Sequence, residues 1–119
     1  MADRIAWTIL ALVHLVPGIA FFAPSLVSRL YGVAAESPLF PLLHHRAALF
    51  GVVLLICIWA AFDPGVRQLA TIATAVSMLS FLGIYWCAGQ PASLRTIALI
   101  DLIGLPVLLF AGWRAFFST

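Results

Sequence analysis

The sequence predicts an all-α integral membrane protein, a four-transmembrane-helix bundle with a short interfacial helix between the first two spans. Three observations lead there. Of 119 residues, 65% are apolar and only 8% are charged, whereas a soluble domain is about 45–50% apolar and about 25% charged. Four apolar segments each approach the roughly 20 residues that a helix needs to cross the hydrocarbon of a bilayer. Together they use nearly the whole chain, so residues 1–119 read as one domain with no soluble unit attached. A soluble fold of this size exposes too much of its area to hide such a surface. The outer face is therefore expected to meet lipid.

The first segment runs from about Arg4 to Phe22, with a kink expected at Pro17-Gly18. It is longer than the core of a removable signal. Its small-residue exit, Phe21-Phe22-Ala23, also has bulky Phe21 where cleavage wants a small residue, so the segment is expected to stay attached. The connection from Pro24 to Ser37 contains Pro24-Ser-Leu-Val-Ser-Arg-Leu-Tyr31, which reads as a short helix in the membrane interface, ended by Gly32. Leu26, Val27, Leu30 and Tyr31 are expected to face lipid there, and Ser28 and Arg29 to face water.

The second segment begins at Ser37-Pro38, with Ser as cap and Pro in the first turn, and stops at Asp63-Pro64-Gly65. The third runs from Val66 to Ala88 and ends at Gly89-Gln90-Pro91. The fourth runs from Ser93, a plausible cap, to Phe117. Pro106 inside it frees one carbonyl that neighbouring helices can satisfy.

An even number of spans puts both termini on one face, here side A. Arg4, Arg67 and Arg114 then lie on side A, and Arg29, Arg46 and Arg95 on side B, a tie for the positive-inside rule. Turning Arg46 into the bundle breaks the tie and makes the side holding the termini cytoplasmic. The net charge is +2 and the arginines are dispersed singly. A nucleic-acid site would need a basic stripe and a polybasic lipid-binding tail a run, so neither is expected. Cys57 and Cys87 fall toward opposite faces, too far apart for a disulfide, and read as two free buried thiols.

Small residues mark where helices touch in lipid. Ala47, Ala48 and Gly51 do so in the second segment, Ala70, Ala73, Ser77 and Ser80 in the third, and Gly104, Ala111 and Gly112 in the fourth. Trp7, Trp59, Trp86 and Trp113 stand toward segment ends, where interface anchors sit.

Ionisable groups at membrane depth are expensive and usually face the bundle interior. His14, His45, Arg46, Tyr85 and Asp101 all fall in the side B half or at the midplane, on four different segments. If they face inward they line one polar pocket, with Tyr31 and Glu36 as candidates for its lid. The side A half reads as nearly featureless and apolar. His44 and His45 are adjacent and point about 100° apart, so at most one faces the pocket. No histidine pair has the three- or four-residue spacing of helical metal ligands, and neither a metal nor a cofactor is expected. Arg46 is the expected hydrogen-bonding partner of Asp101. A plain structural reading makes the two an ion pair that locks the second segment on the fourth.

Taken together, Val13-His14-Leu15, Leu30-Tyr31-Gly32-Val33, Leu42-Leu43-His44-His45-Arg46-Ala47-Ala48-Leu49-Phe50-Gly51, Ser80-Phe81, Leu94-Arg95 and Ala98-Leu99-Ile100-Asp101 resemble a family of small bacterial four-span membrane proteins. Such sequences are often labelled phosphopantetheine adenylyltransferase and are, more distantly, DoxX-like. The resemblance implies a multi-pass protein of the bacterial inner membrane. It does not carry the adenylyltransferase activity, which needs a soluble nucleotide-binding α/β domain and a His-x-Gly-His motif that this chain lacks. Three function classes remain. One is an intramembrane pocket for a lipophilic or lipid-like molecule. Another is a non-catalytic accessory subunit of a larger complex or homo-oligomer. The last is a membrane isomerase or cyclase, with Asp101 as acid and His14 or His45 as base.

Overall fold

A computed structural model describes residues 1–117, apart from the side chain of Ser93; the Ser93 cap therefore lies outside the described residues. All regular elements among the described residues are helical: α1 (Ala2–Val13), α2 (Leu15–Ile19), α3 (Pro24–Tyr31), α4 (Phe40–Phe62), α5 (Arg67–Cys87) and α6 (Arg95–Phe117), with single 3-10 turns at Ala20–Phe22, Pro64–Val66 and Ala92–Leu94. Phe40–Phe62, Pro64–Cys87 and Arg95–Phe117 are each long and apolar enough to cross a membrane. Ala2–Val13 and Leu15–Phe22 meet the same test only as a pair, bent by 48°.

The bend falls at His14 rather than at Pro17-Gly18, where the sequence put it. Proline has no N–H and its ring presses on the carbonyl four residues earlier, so the damage from Pro17 lands at Val13. The His14 N–H falls back on the Ala11 carbonyl at 3.1 Å, and helical bonding resumes with the Gly18 N–H on the His14 carbonyl at 3.0 Å. A second boundary also moves. Helix α4 starts at Phe40, one turn after Ser37-Pro38, with Pro41 in its first turn. At its other end Asp63 punctuates the chain as expected, accepting from the Gly65 N–H at 2.8 Å and the Trp59 indole at 3.2 Å. Gly89 takes the left-handed conformation that ends α5, and Gln90 follows with the same positive φ.

The helices form a ring in the order α1, α4, α5, α6, so α4 stands diagonally across from α6. Helix α2 packs on α4, where a Cβ on Gly18 would stand 3.3 Å from the Gly51 backbone; two glycines allow that approach. One apolar core, around Trp7, Leu10, Cys57, Met78 and Leu108, fills the end that carries the termini. Another, around Val27, Tyr31, Ala47, Phe81 and Ile97, fills the opposite end.

Several side chains depart from expectation. Leu26, Val27, Leu30 and Tyr31 of α3 all pack onto the second core instead of turning outward. Trp7 is fully buried, unlike Trp59, Trp86 and Trp113, which are exposed. Cys87 is an exposed free thiol, while Cys57 is buried against the Thr74 hydroxyl. The small-residue row of α5 divides: Ala70 packs in the first core, but Ala73 and Ser77 floor an open groove against α4.

Candidate functional site

Buried polar atoms of His14, at the break after α1, and of Tyr31, Arg46 and Asp101, on α3, α4 and α6, lack partners. His14, at the break after α1, is 1% exposed and rests against the Phe50 ring at 5.9 Å between centroids. Its Nδ1 lies 2.9 Å from the Leu10 carbonyl. A carbonyl can only accept, so Nδ1 carries the proton and Nε2 is left as a bare acceptor. That Nε2 is buried with no hydrogen-bond partner. Asp101, three residues after Ala98 of the second core, is 3% exposed, and its Oδ2 is equally orphaned.

Arg46 stands six residues into α4. Its guanidinium carbon lies 4.8 Å from the centre of the Phe81 ring, 4.9 Å from Phe50 and 5.7 Å from Tyr31. Such contacts are worth about 0.5–2 kcal/mol each when desolvated, yet none accepts a conventional hydrogen bond, and Nε–H is buried without a partner. The Tyr31 hydroxyl completes the group, also buried and unpaired. Burial pushes the Tyr31 phenol above its ordinary pKa; the Arg46 guanidinium nearby, as a charge and as a donor, opposes this, and the Asp101 carboxylate adds to it.

The expected hydrogen bond between Arg46 and Asp101 does not form. The ion pairs among the described residues are those of Asp3, with Arg114 at 2.9 Å and Arg67 at 3.8 Å. The reason is the ring: α4 and α6 face each other diagonally, so the Arg46 charge reaches Asp101 across the interior without touching it. A lock between these two helices is therefore not what holds the bundle.

Of the other expected site residues, Tyr85 is buried and stacks on Phe81 at 6.3 Å, but it borders a separate groove between α5 and α6 with Trp86 and Arg95. His45 is exposed. Its neighbour His44 turns to the end of the first segment, with Nε2 2.7 Å from the Phe21 carbonyl. Glu36 is exposed in the α3–α4 connection, away from the polar group, and Tyr31 belongs to the group itself rather than to a lid.

Two features escaped the sequence reading. Phe50 and Phe81 box in Arg46; the four-residue step from Arg46 to Phe50 on one helix was the available signal. The side A end is not featureless. Arg114 grips Asp3 through two hydrogen bonds of 3.1 and 2.9 Å, and Arg67 and Arg4 donate to the carbonyls of Ala60 and Ala61 that end α4. The Trp7 indole N–H is buried there without a partner, and nothing in the structure accounts for it.

A groove of about 380 Å³ runs between α4 and α5. Arg46, Phe50 and Phe81 line it, and it continues past Ser77 to Val53 and Ala73. Among the described residues no three His, Cys, Asp or Glu side chains gather to hold a metal ion. No family model, curated protein or solved structure matches the chain.

The arrangement offers a cation with one free N–H, a hydroxyl that can donate or accept, and two further oxygen and nitrogen atoms. Each of these atoms has hydrogen-bonding capacity that the protein itself does not use.

Proposed function

We propose that this protein crosses the bilayer four times and binds a lipophilic, lipid-like molecule by a polar group held between His14, Tyr31, Arg46 and Asp101. The single observation that carries this reading is the set of four buried, partnerless polar atoms, of which Arg46 stands beside Tyr31 and shares the Phe50 ring with His14. A buried group left without a hydrogen bond costs about 1–3 kcal/mol. Four such atoms are hard to understand as packing, and a ligand with complementary polar atoms offsets the cost.

In this reading the bent pair α1–α2 is one broken span. Irregular backbone at membrane depth is tolerated where it borders a cavity, and His14 stands at such a break. Helix α3 lies over the side B end and lends Tyr31 to the group. The withdrawal of Arg46 from the loops leaves three arginines on side A against two on side B, which favours cytoplasmic termini in a bacterial inner membrane. Membership of the small four-span family with DoxX-like relatives belongs to the same proposal and rests on the motifs quoted above.

Native mass spectrometry of protein purified in mild detergent tests the reading. Wild type should retain a small molecule that Asp101→Ala loses while keeping its helical spectrum. No bound molecule in either form, or equal retention in both, would refute it.

A further inference from the structure

We infer that the α4–α5 groove takes the tail of a single-chain amphiphile whose compact anionic head, a carboxylate or a phosphate monoester, sits on Arg46. This rests on the pocket reading through Arg46, the one member of that group that lines the groove. It goes further by assigning the head charge, the number of chains and the route of entry.

Charge decides the head. Arg46 has no carboxylate within 4.0 Å, since the ion pairs among the described residues all belong to Asp3. Three aromatic faces surround it, and they hold a cation without neutralising it. Arg46 lines the groove, and its Nε–H has no partner and calls for an acceptor. An anion supplies both the charge and the acceptor, and charge-assisted hydrogen bonds are the stronger kind.

Geometry decides the rest. Arg46 lies nearer the side B end of the groove, and Val53 and Ala73 lie deeper, so polarity falls in the same direction as in a lipid of the side B leaflet. Six residues into α4, Arg46 sits about 9 Å below the start of that helix. A head that reaches it must leave the headgroup layer, which a carboxylate or bare phosphate can do and a bulky headgroup cannot. At about 380 Å³ the groove falls near the lower end of ligand sites, roughly 300–1,000 Å³, and suits one chain rather than two. Its floor is open because Ala73 and Ser77 are small, and its rim residues Leu49, Val52 and Val76 are exposed on the outer surface. The amphiphile can therefore enter sideways from the bilayer.

Photolabelling with a diazirine fatty acid in nanodiscs, followed by peptide mapping, tests this. Label should fall on α4 and α5 along the groove. Palmitate or hexadecyl phosphate should displace it and methyl palmitate should not; whichever of the two acids competes better identifies the head. Arg46→Gln should weaken labelling by about tenfold or more, as loss of a charged hydrogen bond implies, and Arg46→Lys by less. Ala73→Leu, which fills the floor and leaves Arg46 intact, should also suppress it and guards against misfolding of the arginine variants. Equal competition by the methyl ester, or full labelling in Ala73→Leu, would overturn the inference. A retained molecule that is lost in Asp101→Ala but is neutral would overturn it too, while leaving the pocket itself standing.

Discussion

Two aspartates, Asp3 at the end that carries the termini and Asp101 within the interior, live in opposite circumstances. Asp3 is gripped by Arg114 through two hydrogen bonds and approached by Arg67, at the end that carries the termini. Asp101 is 3% exposed, with an oxygen that nothing meets and its nearest cation turned toward aromatic rings. The first end spends its charges on closing itself: arginines tie α1, α4, α5 and α6 and satisfy the last carbonyls of α4. The second leaves its charges open. Paired charges gather at one end and unpaired polar atoms toward the other.

The largest effect is expected at Gly18, where a Cβ would meet the Gly51 backbone at 3.3 Å. Gly18→Val should cost about 1–3 kcal/mol by overpacking and push α2 off α4. Chemical unfolding in bicelles should record the loss, and hydrogen exchange should rise around α2 and α3 but not around Asp3. Next comes Phe81→Leu, which removes one face of the Arg46 box. It should cost about 0.5–2 kcal/mol and weaken retention of the bound molecule in native mass spectra. The smallest effect is expected from Asp3→Asn. The side A cluster is partly exposed, and pairs of that kind contribute little and are screened by salt. Melting curves at low and high salt should converge for wild type and variant, while binding at the other end stays unchanged.

Much of the fold was legible because hydropathy and punctuation act locally. Asp63-Pro64-Gly65 and Gly89-Gln90-Pro91 stop helices through their own backbone chemistry, and Gly32 ends α3 in the left-handed conformation. The bend was legible in kind but displaced by three residues, because proline acts on the turn before it. His14, Arg46 and Asp101 were recognised from depth alone, since polar groups are rare in such segments. What depth could not supply was the order of helices around the ring. Without it Arg46 and Asp101 were paired, His45 was turned inward, and Tyr31 was sent toward lipid. Helix α3 shows the limit well. Its apolar face suits lipid or protein equally, and only tertiary packing chose the second core.

The unfolding free energy of Asp101→Leu, compared with wild type after delipidation, shows whether the carboxylate is unsatisfied in the empty protein. If Asp101 waits for a ligand, an apolar side chain of similar size removes an unsatisfied group. The empty protein should then become more stable, by about 1–3 kcal/mol, while losing its bound molecule. If Asp101→Leu instead destabilises the empty protein by a similar amount, the carboxylate is already satisfied as part of the scaffold. The contrast between the two ends would then fall.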